Sequence, residues 1–156
     1  MRALLAAPDI RIDLANEDGE TALFIACHKH HLLAVQALLL RGAHMLRRVF
    51  GEDWEDATPL SVAAVENHAD VARELVLRGA DINVVETASG MTPLIYAASR
   101  WSFSDGIPIL LQLGANVNTC TEPGTALLEA AICGSRAAVR ALLVVPSTFV
   151  TLTDSS

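Results

Sequence analysis

Thr21-Ala22-Leu23, Thr58-Pro59-Leu60, Thr92-Pro93-Leu94 and Thr125-Ala126-Leu127 place one triplet four times in a chain of 156 residues, with threonines 37, 34 and 33 residues apart. A period of that size marks an array of stacked units, each of which buries its apolar side only against its neighbours. Function is then to be sought on a surface rather than in one central pocket.

Other features keep the same register. Small residues follow each triplet, at Ala26-Cys27, Ala63-Ala64, Ala97-Ala98 and Ala130-Ala131. A Leu-rich stretch comes next, at Leu38-Leu39-Leu40, Leu75-Val76-Leu77, Leu110-Leu111 and Leu142-Leu143. Gly-Ala closes the unit at Gly42-Ala43, Gly79-Ala80 and Gly114-Ala115, continuing twice as Asp81-Ile82-Asn83 or Asn116-Val117-Asn118. Thr is suited to cap a first helix, and Pro is tolerated in its first turn because the missing N–H had no partner there. Paired small residues let antiparallel helices approach, the Leu-rich stretch buries one helix face, and Gly adopts the left-handed conformation that ends the second helix.

A period of about 33 residues around a T-P-L-H-x-A core is the ankyrin signature, and this chain resembles the ankyrin repeat family along nearly its whole length. The resemblance implies an all-α solenoid of stacked helix-turn-helix units with short β-hairpin finger loops. The register divides a single domain over 1–156 into a partial repeat at 1–14, repeats at 15–46, 47–83, 84–118 and 119–146, and the start of a further unit or a tail at 147–156. Composition fits: 52% of residues are hydrophobic but only seven are aromatic, as suits thin helix pairs without one globular centre.

Residues 4–12 and 142–150 align at a displacement of 138 residues, so the chain starts and stops at one phase. Terminal repeats ordinarily carry a polar outer face, yet Val139, Leu142, Leu143, Val144 and Val145 are apolar. Two readings follow: a segment of a longer array or larger protein, or a chain whose last residues fold back as a cap. No apolar run approaches the roughly 18 residues of a membrane span, and an intracellular setting, in cytoplasm or nucleus, is expected. The three cysteines match no zinc spacing and read as reduced thiols.

Departures from the family pattern are where individual function is expected. The His that follows Thr-Pro-Leu in the family is replaced by Phe24, Ser61, Ile95 and Leu128, which predicts packing in place of hydrogen bonds between repeats. Between its helices the third repeat carries Trp101-Ser102-Phe103-Ser104-Asp105-Gly106-Ile107-Pro108. Asp105 and Pro108 suit the start of a shortened second helix; Trp101 and Phe103 read either as a local plug or as an exposed anchor for a partner. The finger before Thr58 is enlarged, reading Arg47-Arg48-Val49-Phe50-Gly51-Glu52-Asp53-Trp54-Glu55-Asp56-Ala57. With Glu17, Asp18 and Glu20 it concentrates seven carboxylates in a chain whose net charge is −7.

In the ankyrin family, partners meet the concave face formed by finger tips and the exposed side of each first helix. Carried over by register, that face comprises Glu17, Asp18, Glu20, His28 and Lys29 from the first repeat, and Asp53, Trp54, Glu55, Ala57, Val65 and Glu66 from the second. The third adds Ala88, Ser89, Met91, Ser99, Arg100 and Trp101, and the fourth Thr121, Glu122, Ile132 and Cys133. The expected function is noncatalytic binding of a protein or peptide, with a basic surface as the natural complement of the acidic fingers and Trp54 as anchor. The bland alternative is that the charged fingers are merely solvated.

A small-molecule or catalytic site grafted on the same scaffold is the second function class. Against it, no phosphate loop or nucleophile elbow is present, and solvated fingers lack the burial that tunes a carboxylate. His28 and His31 have metal-pair spacing only if one helix continued through a turn of the repeat; no metal, cofactor or catalytic residue is therefore expected. Phosphate would meet the wrong sign of charge, which disfavours nucleic acid, and no membrane partner is expected. Asn83 and Asn118 suit bonding of the turn backbone; in some animal ankyrin proteins the asparagine at this place is hydroxylated.

Overall fold

The structure, a computed structural model, describes residues 10–46, 57–86, 89–100 and 106–144. Among them are eight helices in four antiparallel pairs: α1 (Ala22–His28) with α2 (Leu32–Leu40), α3 (Pro59–Val65) with α4 (Ala69–Leu77), α5 (Pro93–Ser99) with α6 (Gly106–Gln112), and α7 (Ala126–Ile132) with α8 (Arg136–Leu143). First helices stack on first helices and second helices on second, giving two layers with the apolar core between them.

Each first helix starts as its triplet dictates. Thr21, Thr58, Thr92 and Thr125 are extended N-caps whose side chains accept the N–H three residues on, at 3.2, 3.2, 3.2 and 3.3 Å. Pro59 and Pro93 occupy the first turn, where no N–H is needed.

Among the described residues, left-handed positions make the turn between the helices of the first, second and fourth units and the turn after the second helix of the first three. His30, Asn67 and Gly134 share one register position and have φ of 58°, 61° and 66°. The residue after each, His31, Ser135 or His68, donates its N–H back to the first small residue of the unit, Ala26, Ala130 or Ala63, at 2.8 to 2.9 Å. At the end of the second helix, Gly42, Gly79 and Gly114 have φ of 80°, 95° and 94°. The alanine after each, Ala43, Ala80 or Ala115, donates its N–H to the carbonyl five residues back, Leu38, Leu75 or Leu110, at 3.1, 3.0 and 2.9 Å. This is the Schellman closure, and it explains Gly-Ala as a pair: one residue turns, the next caps.

Fingers are simpler than expected. Instead of hairpin strands, the described residues show isolated antiparallel bridges, Ala15 with Thr21 and Thr121 with Gly124. The third finger is closed by Glu86 N–H to Met91 O at 2.8 Å and Gly90 N–H to Glu86 O at 2.7 Å. In the first and fourth fingers, so few residues lie between turn and helix that a ladder has no room to extend.

Small residues set the stacking distance. Cys27, Ala63, Ala64, Ala97 and Ala98 are wholly buried, and the extreme case is Gly106 at the start of α6. A Cβ there would lie 2.4 Å from the Ala64 carbonyl oxygen and 3.0 Å from the Val65 nitrogen. The helix start is thus seated on the backbone of α3, a contact any side chain would prevent.

Polar ties between repeats supplement the packing, contrary to the expectation drawn from the missing histidines. Ser61, at one of those positions, donates to Oε1 of buried Glu86 at 3.0 Å and shares a 2.9 Å hydrogen bond with Thr58. His68 Nδ1 donates to Cys27 O at 3.0 Å, His44 N–H to Asp13 Oδ1 at 2.8 Å, and Asn116 N–H to Asn83 Oδ1 at 2.8 Å. Asn83 therefore bonds turn backbone, but that of the next repeat. Phe24 and Ile95, by contrast, do replace the histidine with buried packing.

Substitution of Gly106 by Ala tests the close approach. Overpacking against an immovable backbone carbonyl is expected to destabilise the chain by about 1–3 kcal/mol, read as a lower urea midpoint. An unchanged midpoint would show that α6 does not rest on α3 as described.

Candidate functional site

Each finger leads into the N-terminus of a first helix, and the first helices stack in one layer. The first finger is organised by Asn16. Its Oδ1 accepts the N–H groups of Asp18 and Glu20 at 3.2 and 2.8 Å, and its Nδ2 donates to Glu20 Oε2 at 2.8 Å. Gly19, at φ 81°, completes the turn. Glu17 and Asp18 are thereby exposed, while Glu20 is half-buried and held by an amide. Asn16 is a positioning residue that the sequence pattern did not single out; the spacing Asn-x-x-Gly was its available signal.

At the far end of α1, His28 is half-buried and Lys29, its C-cap, is exposed. In the second unit Ala57 and Val65 are buried, so neither is available at the surface, while Glu66 is half-buried at the C-cap of α3. Asp53, Trp54 and Glu55, with the rest of that enlarged finger, lie outside the described residues, as do Ala88, Trp101, Phe103 and Asp105.

The third and fourth units are tied together at this surface. Met91 N–H donates to Ser89 Oγ at 3.2 Å, and Ser99 Oγ donates to Tyr96 O at 2.9 Å while lying 4.0 Å from Met91 Sδ. Arg100 reaches back over buried Tyr96, with Nη1 3.2 Å from the phenol oxygen and Cζ 5.5 Å from the ring centre. Its charge is thus held against α5. Cys133 Sγ donates to Ser99 O at 3.0 Å, joining the ends of α5 and α7. Glu122 is exposed in a tight turn closed by paired hydrogen bonds between Thr121 and Gly124, at 3.1 and 2.9 Å. Among the described residues, then, Glu17, Asp18 and Lys29 are exposed in the first unit and Glu122 in the fourth, while Arg100 is half-buried against α5.

The histidines do not form a metal set. Helix α1 ends at His28, His30 occupies the left-handed turn, and His31 caps α2. His30 instead stacks on His68 of the next unit, ring centres 4.3 Å apart and 5° from parallel, and donates Nε2–H to Asp70 Oδ1 at 2.7 Å. Among the described residues no group of three or more His, Cys, Asp or Glu side chains is placed to hold a metal. Partial burial alone would push the Asp70 carboxyl up. The His30 hydrogen bond, the Val71 N–H and the nearby imidazole outweigh that and hold it below the ordinary aspartate value.

Cys27 is buried and its thiol is pushed up to about 12 by desolvation, so it is an unreactive core residue. A depression of about 520 Å³ is lined by Ile10, Arg11, Ile12, Asp13, Leu14 and Ala15. None of Glu17, Asp18, Glu20 or His28 borders it, so it does not join the acidic finger to a catalytic pocket.

Comparison of the sequence with known proteins agrees with the repeat architecture. The family described as ankyrin repeats, three copies, matches residues 1–86 and 74–154. The chain belongs to the ankyrin repeat family. The B-cell lymphoma 3 protein homolog of Mus musculus is 34% identical over 113 residues, covering 72% of this chain and 25% of that protein. The NF-kappa-B inhibitor epsilon of Homo sapiens is 31% identical over 85 residues, 51% of this chain and 17% of that protein. Ankyrin repeat domain-containing protein 49 of Bos taurus is 40% identical over 70 residues, 44% of this chain and 28% of that protein. The chain thus spans little more than a quarter of the length of these relatives, or less. Among the described residues no helix is long and apolar enough to cross a membrane.

The His30–Asp70 pair gives a pH dependence whose sign is set by the lowered carboxyl. A depressed folded-state pKa contributes stability above the unfolded value, near 3.9, and that contribution disappears as pH falls through the folded value. Both side chains are about half exposed, 50% and 48%, so the contribution is at most about 1 kcal/mol. Wild type is expected to exceed Asp70→Asn in urea midpoint at pH 6, the gap closing toward pH 3. A gap independent of pH would exclude this role for the pair.

Proposed function

We propose that this chain is a noncatalytic protein-interaction module acting inside the cell, and that its fingers and first-helix ends bind a basic peptide or protein surface. The observation that carries the reading is the exposure of Glu17 and Asp18 at one end and Glu122 at the other on the side where successive fingers emerge. Ankyrin membership supports a protein partner, as does similarity to a protein named as an inhibitor of NF-kappa-B, which is an action on another protein. Opposite potentials across such a face accelerate encounter and discourage wrong partners. In this reading Asp53, Trp54, Glu55 and Trp101 join the face from the two irregular segments, with Glu20, His28, Lys29, Glu66, Met91 and Arg100 lining it.

The same reading places the chain within a longer array or larger protein. The position three residues after the capping Thr is fully buried in the first three units, at 0% for Phe24, 0% for Ser61 and 1% for Ile95, but Leu128 is 49% exposed. Ile132 and Leu143 are exposed beside it. A further repeat stacked on α7 and α8 would cover the three leucine and isoleucine side chains as each unit covers the one before.

Two measurements test these proposals separately. Binding of a fluorescent Lys/Arg-rich 12-residue peptide is expected to weaken at least tenfold in a variant carrying Glu17→Lys, Asp18→Lys, Asp53→Lys and Glu55→Lys, and to weaken with added salt. Absence of binding to wild type, or equal binding by the variant, sinks the acidic-face proposal. Sedimentation of the chain alone is expected to show association at high concentration that Leu128→Glu with Ile132→Glu suppresses. A clean monomer throughout would count against an uncovered stacking face.

A further inference from the structure

The second-helix layer carries a surface that the finger-side reading leaves unused. Leu40 ends α2, Leu77 ends α4, Gln112 ends α6 and Val144 caps α8, all at one register position of successive units. The three aliphatic members are 70%, 73% and 76% exposed. Because α2 packs on α4, α4 on α6 and α6 on α8, these residues form a row across the outer layer. Repetition at one position separates this row from the scattered surface leucines that need no explanation.

Charge beside the row has the sign opposite to that of the fingers. Arg73 and Arg140 lie one helical turn before the row, on α4 and α8, Arg41 directly follows Leu40, and Arg136 opens α8. All four are exposed, and none has an ion pair among the described residues. The acids of this layer are already engaged: Glu74 Oε1 accepts from Arg78 Nε at 2.9 Å and its Oε2 from Gln36 at 3.2 Å, while Asp70 accepts from His30. Although the whole chain has a net charge of −7, its outer layer offers uncompensated cations around an aliphatic row.

Spacing selects the form of the occupant. Packed helices lie about 8–10 Å apart, and seven residues of α-helix rise about 10.5 Å at 1.5 Å each. A helix laid across the layer therefore presents one residue to each unit when its anchors recur every seven positions. From Leu40 to Val144 are three such steps, roughly 30 Å or about 20 helical residues. We propose that the outer face of α2, α4, α6 and α8 docks an acidic amphipathic helix of a partner protein, with aliphatic anchors at heptad spacing seated on Leu40, Leu77 and Val144 and carboxylates meeting Arg73 and Arg140. The helix-in-groove mode supplies the general mechanism, apolar anchors for affinity and flanking charge for orientation.

The probe is a fluorescent 21-residue helical peptide with leucine at every seventh and intervening fourth position and glutamate on its flanks, measured by anisotropy. Wild type is expected to bind it, and Leu40→Glu with Leu77→Glu to weaken binding at least tenfold. Arg73→Glu with Arg140→Glu is expected to do the same, while Arg73→Lys with Arg140→Lys retains most of it. All substituted side chains are exposed, so unchanged thermal unfolding serves as the folding control. Glu17→Lys with Asp18→Lys should leave this binding unchanged, which keeps it separate from the finger-side proposal. Any of four results overturns the inference: no binding by wild type, equal binding by the face variants, equal binding of a peptide of the same composition with leucines scrambled, or tighter binding to phosphatidylserine vesicles than to the peptide. A concentration-dependent dimer broken by Leu40→Glu with Leu77→Glu would assign the face to a second copy and overturn it as well.

Discussion

Everything in this stack depends on how closely one helix can approach the backbone of the next. A seven-residue helix buries too little apolar surface to persist alone, so each pair relies on its neighbours for most of its stability. The approach is controlled by side-chain size at two adjacent positions, where Ala63-Ala64 and Ala97-Ala98 present almost no bulk. Gly106 carries the constraint to its limit, placing the start of α6 against the Ala64 carbonyl. Leucines of the second helices then fill the layer that this spacing leaves between them.

Short helices also make backbone closure a large part of the design. The capping threonines satisfy donors at one end, and the Gly-Ala pairs satisfy carbonyls at the other. The left-handed turn within the first, second and fourth pairs is made by His30, Asn67 and Gly134, three chemically different residues in one conformation. That turn brings His30 against His68 and Asp70, so a residue suggestive of metal binding instead joins one repeat to the next. Cross-repeat polar bonds and apolar packing act together here: buried Ser61 and Glu86 sit within the same core as Phe24 and Ile95.

Periodicity made the fold legible because helix starts, small positions and Gly stops recur in register, and each has a local physical cause. The inter-repeat hydrogen bonds were not legible in the same way. Ser61 and Glu86 are 25 residues apart, and nothing local marks a carboxylate in a finger as buried. The register of the candidate face could be read, but exposure could not: Ala57 and Val65 carry the right position and are covered. Asn16 escaped notice because its role is to hold Glu20 and the turn rather than to face a partner.

By itself, then, the order of residues determined the units, their boundaries at Thr and Gly, and membership in a stacked helical array, since caps, turns and helical periodicity act over a few residues. The tertiary structure decided which repeated positions are covered and which remain open. Leu128 shares its position with buried Phe24 and Ile95 yet is half exposed, and Leu40, Leu77 and Val144 emerge as a row only once their helices are stacked. Burial depends on the neighbour on the other side, and that neighbour lies a full repeat away along the chain.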